Sequence, residues 1–435
     1  MLDHLEGIAI APEAIKWLHT PTKFRETLIE RINQAQKCIY IAALYLEDDE
    51  AGREILEALL AAKAANPKLN IKVLVDYHRA RRGLIGQKGD SGNYRLYRSL
   101  MQQAAAPFDI YGIPVKSREL LGVLHLKGFI IDDAVIFSGA SLNNVYLQKL
   151  GRYRLDRYHL IESAELACAM VDMIDQDILE DDAVVKLTDV NDVRPDKMQL
   201  RAFKQRLARA NYRFRGVTTG LRVTPLVGLG RKSNKLNSTI LDLVKSAESE
   251  MFICTPYFNP PYSLSRAISR RLRKGIKIDI VVGDKTANDF YIPPEKPFST
   301  IGALPYLYEQ SLRKFMKRQQ WAVEKGLLNV HLWKHNDNSF HLKGISVDRK
   351  QHLLTGSNLN PRAWALDLEN GLLVHDDQQQ LQAHFADEQQ QLLVHCQRLS
   401  HYRELQTLQQ YPAPVRKILN RIRRLKADIL LRRIL

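Results

Sequence analysis

The chain has 435 residues, 45% of them apolar and 26% charged, which allows about two to three domains with cores of their own and argues against extensive disorder. Its formal net charge of +16 and pI near 9.5 favour polyanions, namely nucleic acid, an anionic membrane surface or a phosphate-bearing substrate, and invite non-specific adhesion to nucleic acid or ribosomes. No run approaches the roughly 18 uninterrupted apolar residues of a membrane-spanning helix.

The N-terminal MLDHLEGIAIAPEAIKW lacks the basic start and apolar core of a cleaved signal peptide. In chain order, the helical FRETLIERINQAQK then leads into the apolar run CIYIAALYLED, and EILEALLAAKAA leads into the strand-like NIKVLVDYHRA. The second half repeats the series: NSTILDLVKSAESE, MFICTPYFN, SLSRAISRRLRK and IKIDIVVGDKTAND. Continuous apolar runs between amphipathic helices read as buried, parallel strands, with Tyr45 and Tyr257 at matching places. The spacing predicts a first half over 1–180, a charged helical connector over 181–215 and a second half over 216–405. A basic amphipathic helix follows over 411–435. Cys38, Cys168, Cys254 and Cys396 form no CxxC pair, so neither a disulfide framework nor a zinc site is indicated and a reducing, cytosolic compartment fits.

Each half then carries H-x-K-x4-D followed by G-x-x-L-N. These are His125, Lys127, Asp132 and Gly139 to Asn143 in the first half, and His341, Lys343, Asp348 and Gly356 to Asn360 in the second. Side chains two apart on a strand share a face, so each His and Lys project together, while the Asp falls on the opposite face or at the strand end. Asp132 and Asp348 are therefore expected to support the site from outside it. A hairpin after each Asp would return the Gly segment beside the His and Lys, where Gly allows close approach and Asn143, Asn360, Ser141 and Ser357 offer polar contacts to a phosphate. Two lysines would neutralise a phosphodiester, one neutral imidazole would attack phosphorus, and the other, protonated, would serve the leaving group. That chemistry calls for no metal and no cofactor.

These paired motifs resemble those of the phospholipase D superfamily. The longer strings GVLHLKGFIIDD, SGASLN, YLYE, GDKTANDFYIP, IGALPY and LNPRAWALDLEN resemble its Gram-negative branch of CDP-diacylglycerol–serine O-phosphatidyltransferases across essentially the whole chain. The resemblance implies an α/β fold of two pseudo-symmetric halves, each a mixed β-sheet flanked by helices, with one active site at their interface. It implies transfer of a phosphatidyl group from CDP-diacylglycerol to L-serine with release of CMP, through a phosphatidyl–histidine intermediate and without a required metal. By family habit His125 is the nucleophile and His341 the acid–base. Asn143 comes one residue later than the usual G-S-x-N pattern, and Gly356 one residue later than Gly139. Glu369 in LDLEN resembles the superfamily carboxylate that orients a histidine; matching LDRYH to LDLEN sets Tyr158 opposite it and Asp156 opposite Asp367, with a salt bridge as the other reading of either acid.

Arg79 and Lys285 follow matching strands, where they would either meet the cytidine diphosphate or remain solvated. In the tail, Val415, Ile418, Leu419, Ile422, Leu425 and Ile429 recur at three and four residues, with Arg416, Lys417, Arg421, Arg423, Arg424 and Lys426 on the other faces. Such a helix suits an anionic bilayer at the inner face of the cytoplasmic membrane, or it docks on the protein with its charges in solvent. Rival functions are a cardiolipin synthase or phospholipase D, a nuclease using the same chemistry, and a non-catalytic polyanion binder, which two intact His–Lys sets argue against.

Overall fold

Each half opens with a capped helix that delivers the chain to the centre of a sheet. The Thr20 side chain accepts a bond from the Lys23 amide at 3.1 Å, and Pro21 occupies the first turn of Pro21–Gln34. Asn234 does the same for Lys235–Ser246, accepting from the Asn237 amide at 2.9 Å. Phe24, Leu28 and Ile32 in one helix, and Leu236, Ile240, Leu243 and Val244 in the other, recur at helical spacing and are buried. The computed structural model describes residues 2, 4–82, 92–191 and 193–424.

The strands after these helices build two sheets of the same plan. In the first, Asp109–Ile113, Asn70–Asp76, Cys38–Ala42, Gly128–Ile131, Ala134–Ser138 and Tyr158–Glu162 lie side by side. In the second the order is Leu328–Trp333, Lys277–Gly283, Glu250–Thr255, Gly344–Val347, Gln351–Thr355 and Leu368–His375. In both, the first three strands are parallel and the rest antiparallel, so each is the mixed sheet expected of a doubled unit. The parallel strands are joined by helices, as parallel pairing requires.

The halves are tied together at both ends. Ile15–Trp17 pairs with Tyr158–Glu162 in the first sheet, whereas Ile8–Ala9, a few residues earlier, pairs with Arg222–Leu229 in the second. Within 181–215, Val185–Lys186 extends the edge of the first sheet. The helix Lys197–Leu207 follows, opened by a capping box between Asp196 and Gln199. It buries Phe203 and Leu207 in a central core shared by Ile130 and Phe137 of one sheet with Val223, Leu372 and Val374 of the other. No helix among the described residues is long and apolar enough to cross a membrane.

Candidate active site

His125 and Lys127 lie in an extended segment just before Gly128–Ile131, and His341 and Lys343 in the equivalent segment before Gly344–Val347. Gly128 and Gly344 separate segment from strand with φ of 148° and 151°, a conformation L side chains rarely adopt. A Cβ at Gly344 would also stand 2.6 Å from the Leu353 carbonyl oxygen. The chain thus bends after each H-x-K and turns the motif from its own sheet toward the other half.

Across that interface each half completes the other. The His125 amide donates to the Leu368 carbonyl at 2.9 Å, and its Nδ1 lies 2.8 Å from Oε2 of Glu369. The His341 amide donates to the Leu155 carbonyl at 2.8 Å, and its Nδ1 lies 2.9 Å from Oδ2 of Asp156. Asn370 grips the Lys127 backbone, accepting its N–H at 2.9 Å and donating to its carbonyl at 2.8 Å. Arg157 reaches the Lys343 carbonyl at 3.5 Å and the Glu388 carboxylate at 2.8 Å. The Lys127 ammonium donates to Oγ of Ser141 at 3.1 Å, and that of Lys343 meets Asp156 at 2.9 Å and also contacts Nδ1 of His341. All four motif side chains are buried.

The matching of Asp156 with Asp367 and of Tyr158 with Glu369 is corrected by the sheet register. Ser138 pairs with Tyr158 and Thr355 pairs with Gly371, and these pairs immediately precede Gly139 and Gly356 in their hairpins. Two residues before Tyr158 and Gly371 stand Asp156 and Glu369, which are therefore the equivalent carboxylates. Asp367 instead accepts from the Val123 amide at 3.0 Å and pairs with Arg362. The physical reason is that register is set by strand pairing, to which similar letters in the approach loops are blind.

Asp132 and Asp348 lie away from the histidines, at the hairpin turns. Asp132 accepts from the Gln36, Lys37 and Cys38 amides at 2.9, 2.8 and 3.0 Å. Asp348 accepts from the Glu248, Ser249 and Glu250 amides at 2.9, 2.8 and 2.9 Å, and from the Ser249 hydroxyl. The first turn spans Asp132 and Asp133 between paired Ile131 and Ala134; the second spans 348–350 between Val347 and Gln351, which accounts for the late Gly356. A Cβ on Gly139 would stand 2.8 Å from the Lys343 ammonium, and one on Gly356 2.7 Å from Cγ of Lys127. The close approach at Gly356 is thus to the other half's lysine, and at Gly139 to the Asp156 carboxylate, at 2.6 Å, together with the other half's lysine. Asn143 and Asn360 accept from the Tyr146 and Ala363 amides at 3.0 and 2.9 Å, and Ser357 lies 3.5 Å from the Leu359 amide.

The profile of a protein family described as "Cardiolipin synthase, PLD-like domain" matches residues 28–176 and 240–392, one match on each half. The chain belongs to this phospholipase D-like family. It is 48% identical to the CDP-diacylglycerol–serine O-phosphatidyltransferase of Escherichia coli (strain K12), covering 100% of this chain and 97% of that one. It is similar also to the crystal structure of phosphatidylserine synthase from Haemophilus influenzae Rd KW20, at 46% identity and a TM-score of 0.96 over 100% of this chain and 98% of that one. A probable CDP-diacylglycerol–glycerol-3-phosphate 3-phosphatidyltransferase of Dictyostelium discoideum is 26% identical over 89% of this chain and 74% of its own.

The phospholipase D-like site concentrates like charges away from water. Burial, then the fields of Lys127, Lys343 and His341, hold His125 well below the usual histidine range. Burial and Lys343 bring His341 down to about 4, against the pull of Asp156. Burial and Lys343 bring Lys127 down to about 7. Burial raises Asp156, but Lys343 and His341 outweigh it and hold the carboxyl at about 2. Glu369 goes the other way, pushed up by burial and by Asp367. The two histidines thus have partners of opposite tendency: an ionised Asp156 for His341, and in Glu369 a carboxyl that resists ionisation. An anionic phosphodiester among these bases would favour their charged forms.

Asp156, Asn370 and Tyr146 belong to the site and were not singled out by the motifs. The Tyr146 hydroxyl lies 3.0 Å from Nδ1 of His341. Arg79 and Lys285 are engaged inside the protein, with Glu47 at 3.1 Å and Glu309 at 2.8 Å. In the tail, Ala413–Arg424 is helical; Val415 and Leu419 are buried against Ala303, Tyr306 and Tyr411, and Arg416, Lys417, Arg421, Arg423 and Arg424 are exposed. Lys426, Leu425 and Ile429 lie outside the described residues.

Proposed function

We propose that the chain transfers the phosphatidyl group of CDP-diacylglycerol to the hydroxyl of L-serine, giving phosphatidylserine and CMP, through a phosphatidyl–histidine intermediate. The observation that carries the chemistry is the reciprocal pairing of His125 with Glu369 and His341 with Asp156 beside two buried lysines. The serine acceptor is supported by the names of the two bacterial relatives.

With Nδ1 engaged by a carboxylate, each imidazole has Nε2 left for the substrate. Nε2 of His125, neutral at pH 7, attacks the phosphatidyl phosphorus, and the bond to the bridging oxygen breaks. His341, charged once the anionic substrate sits among the bases, gives its proton to the departing CMP. Burial and Asp367 raise the Glu369 carboxyl, but the positive charge forming on the phosphorylated ring favours its ionised form, which accepts from Nδ1–H of His125 and offsets that charge. In the second step His341 receives the proton of the serine hydroxyl, whose oxygen attacks phosphorus and displaces His125. Lys127, which donates to Ser141, and Lys343 neutralise the phosphoryl oxygens throughout, and Ser141, Ser357, Asn143 and Asn360 offer them further polar contacts. Asp132 and Asp348 act at a distance, as staples of the hairpins that carry the motif.

The protein works as a peripheral protein on the cytoplasmic face of the membrane. Val415 and Leu419 are turned inward, so the contact that the described part of the tail makes with a membrane is electrostatic, between its exposed basic side chains and anionic headgroups. The test supplies CDP-diacylglycerol in mixed micelles with labelled L-serine and a chelator. Label in phosphatidylserine with equimolar CMP supports the reading. Phosphatidic acid alone, or cleavage of DNA in place of lipid, contradicts it.

A further inference from the structure

A transferase needs a place for its acceptor, and none of the repeated motifs marks one. Beside His341 the two halves bring together an arginine and an aspartate that the chemistry above leaves unused. Nε of Arg154, two residues before Asp156, lies 2.7 Å from Oδ1 of Asp289, in the loop after Lys277–Gly283. These facing atoms lack the directional geometry of a hydrogen bond. The other oxygen of Asp289 accepts from the Tyr257 hydroxyl at 2.9 Å. The guanidinium lies 4.6 Å over the ring of Tyr146, whose hydroxyl reaches His341, and the Tyr257 ring meets His341 edge-on at 6.0 Å. One aromatic ring therefore separates each charge from the histidine.

Burying two charges costs desolvation that their attraction does not dependably return, so stability is a weak reason for such a pair. The pair also differs from its neighbour in access. Arg154 and Asp289 keep 16% and 11% of their side-chain surface, whereas Lys343 and Asp156 keep 0% and 0%; the facing Nε and Oδ1 are themselves closed off, so a solute meets the pair at its exposed rims.

We propose that Arg154 and Asp289 form the acceptor subsite, the guanidinium taking the carboxylate of an amino acid and Asp289 its ammonium. The acceptor hydroxyl is thereby presented to His341. This rests on the serine-transfer reading and gives it a source of specificity. A zwitterion matches the pair charge for charge and leaves neither partner unpaired. An amino alcohol brings no carboxylate for Arg154, and a hydroxy acid brings no ammonium for Asp289, so each engages only one side of the pair.

Steady-state kinetics with CDP-diacylglycerol in mixed micelles test this by comparing L-serine with ethanolamine and 3-hydroxypropanoate, each of which keeps the hydroxyl and drops one charge. The wild-type chain should prefer L-serine to both by about tenfold or more in kcat/KM. Arg154→Gln should raise the KM for L-serine by a similar factor and narrow the preference over ethanolamine; Asp289→Asn should narrow the preference over 3-hydroxypropanoate. Wild-type protein that accepts ethanolamine as readily as L-serine overturns the subsite without any variant. So do variants in which serine transfer and serine-independent CMP release fall in proportion with acceptor preference unchanged, since a pair that merely positions His341 behaves in that way. A wild-type chain that makes no phosphatidylserine rejects the serine reading itself, a result distinct from either.

Discussion

Asp156 and Glu369 show how much of the chemistry is set by single carboxylates. Each receives an imidazole Nδ1 from the opposite half and so fixes which ring nitrogen faces the substrate. Asp156→Asn and Glu369→Gln keep the shape but not the charge, and each should lower kcat by about 10²- to 10⁴-fold with the fold intact by circular dichroism; rates near wild type would show that the carboxylates only pack. Lys127 sets the pH response. With its ammonium held down to about 7 in the free protein, it loses its charge as pH rises through that value, so kcat/KM should fall on the alkaline side of about pH 7. A flat profile from pH 6 to 9 would mean that Lys127 does not titrate there. At this scale the sequence was legible where the motif is doubled and opaque where a partner comes from elsewhere in the chain. His125, Lys127, His341, Lys343 and Glu369 were readable, but Asp156 was set against Asp367 because only strand pairing reveals its true counterpart.

At the scale of elements, the third letter of the motif is a structural staple. Asp132 and Asp348 each bind three consecutive backbone amides at the entry to a central strand, satisfying donors that the turn would otherwise leave without partners. Asp132→Ala and Asp348→Ala should each destabilise the fold by about 2 kcal/mol or more, measured by denaturant unfolding, while activity per folded molecule survives. Loss of activity without loss of stability would place these residues in the chemistry instead. The helix–strand order, the hairpins and the odd-numbered offset of each Asp were readable from periodicity, since buried parallel strands and amphipathic helices write different repeats. The bend at Gly128 and Gly344 was not, because a glycine's φ carries no signature in the letters around it.

At the scale of the whole molecule, neither half holds a complete site. Glu369 serves His125 and Asp156 serves His341, so the shared core that fixes the sheets relative to one another also fixes the catalytic geometry. The proposed membrane contact belongs to this scale too: the tail's exposed Arg416, Lys417 and Arg421 can be reversed without disturbing Val415 or Leu419. At about 1 kcal/mol for each basic residue near an anionic surface, Arg416→Glu, Lys417→Glu and Arg421→Glu together should weaken binding to phosphatidylglycerol vesicles about a hundredfold at low salt. Unchanged vesicle sedimentation would move the membrane contact elsewhere. The duplication was legible from the sequence; the crossing of the N-terminal segment between sheets, with Ile8–Ala9 in one and Ile15–Trp17 in the other, was not, because strands so short carry no periodicity.

The division of labour between the two histidines is tested most directly by rapid quenching with CDP-diacylglycerol labelled in its phosphatidyl phosphorus, followed by peptide mapping. The account predicts label on His125, lost on adding L-serine, retained in His341→Ala and absent from His125→Ala. Label on His341, or turnover to phosphatidylserine in His125→Ala, would contradict it.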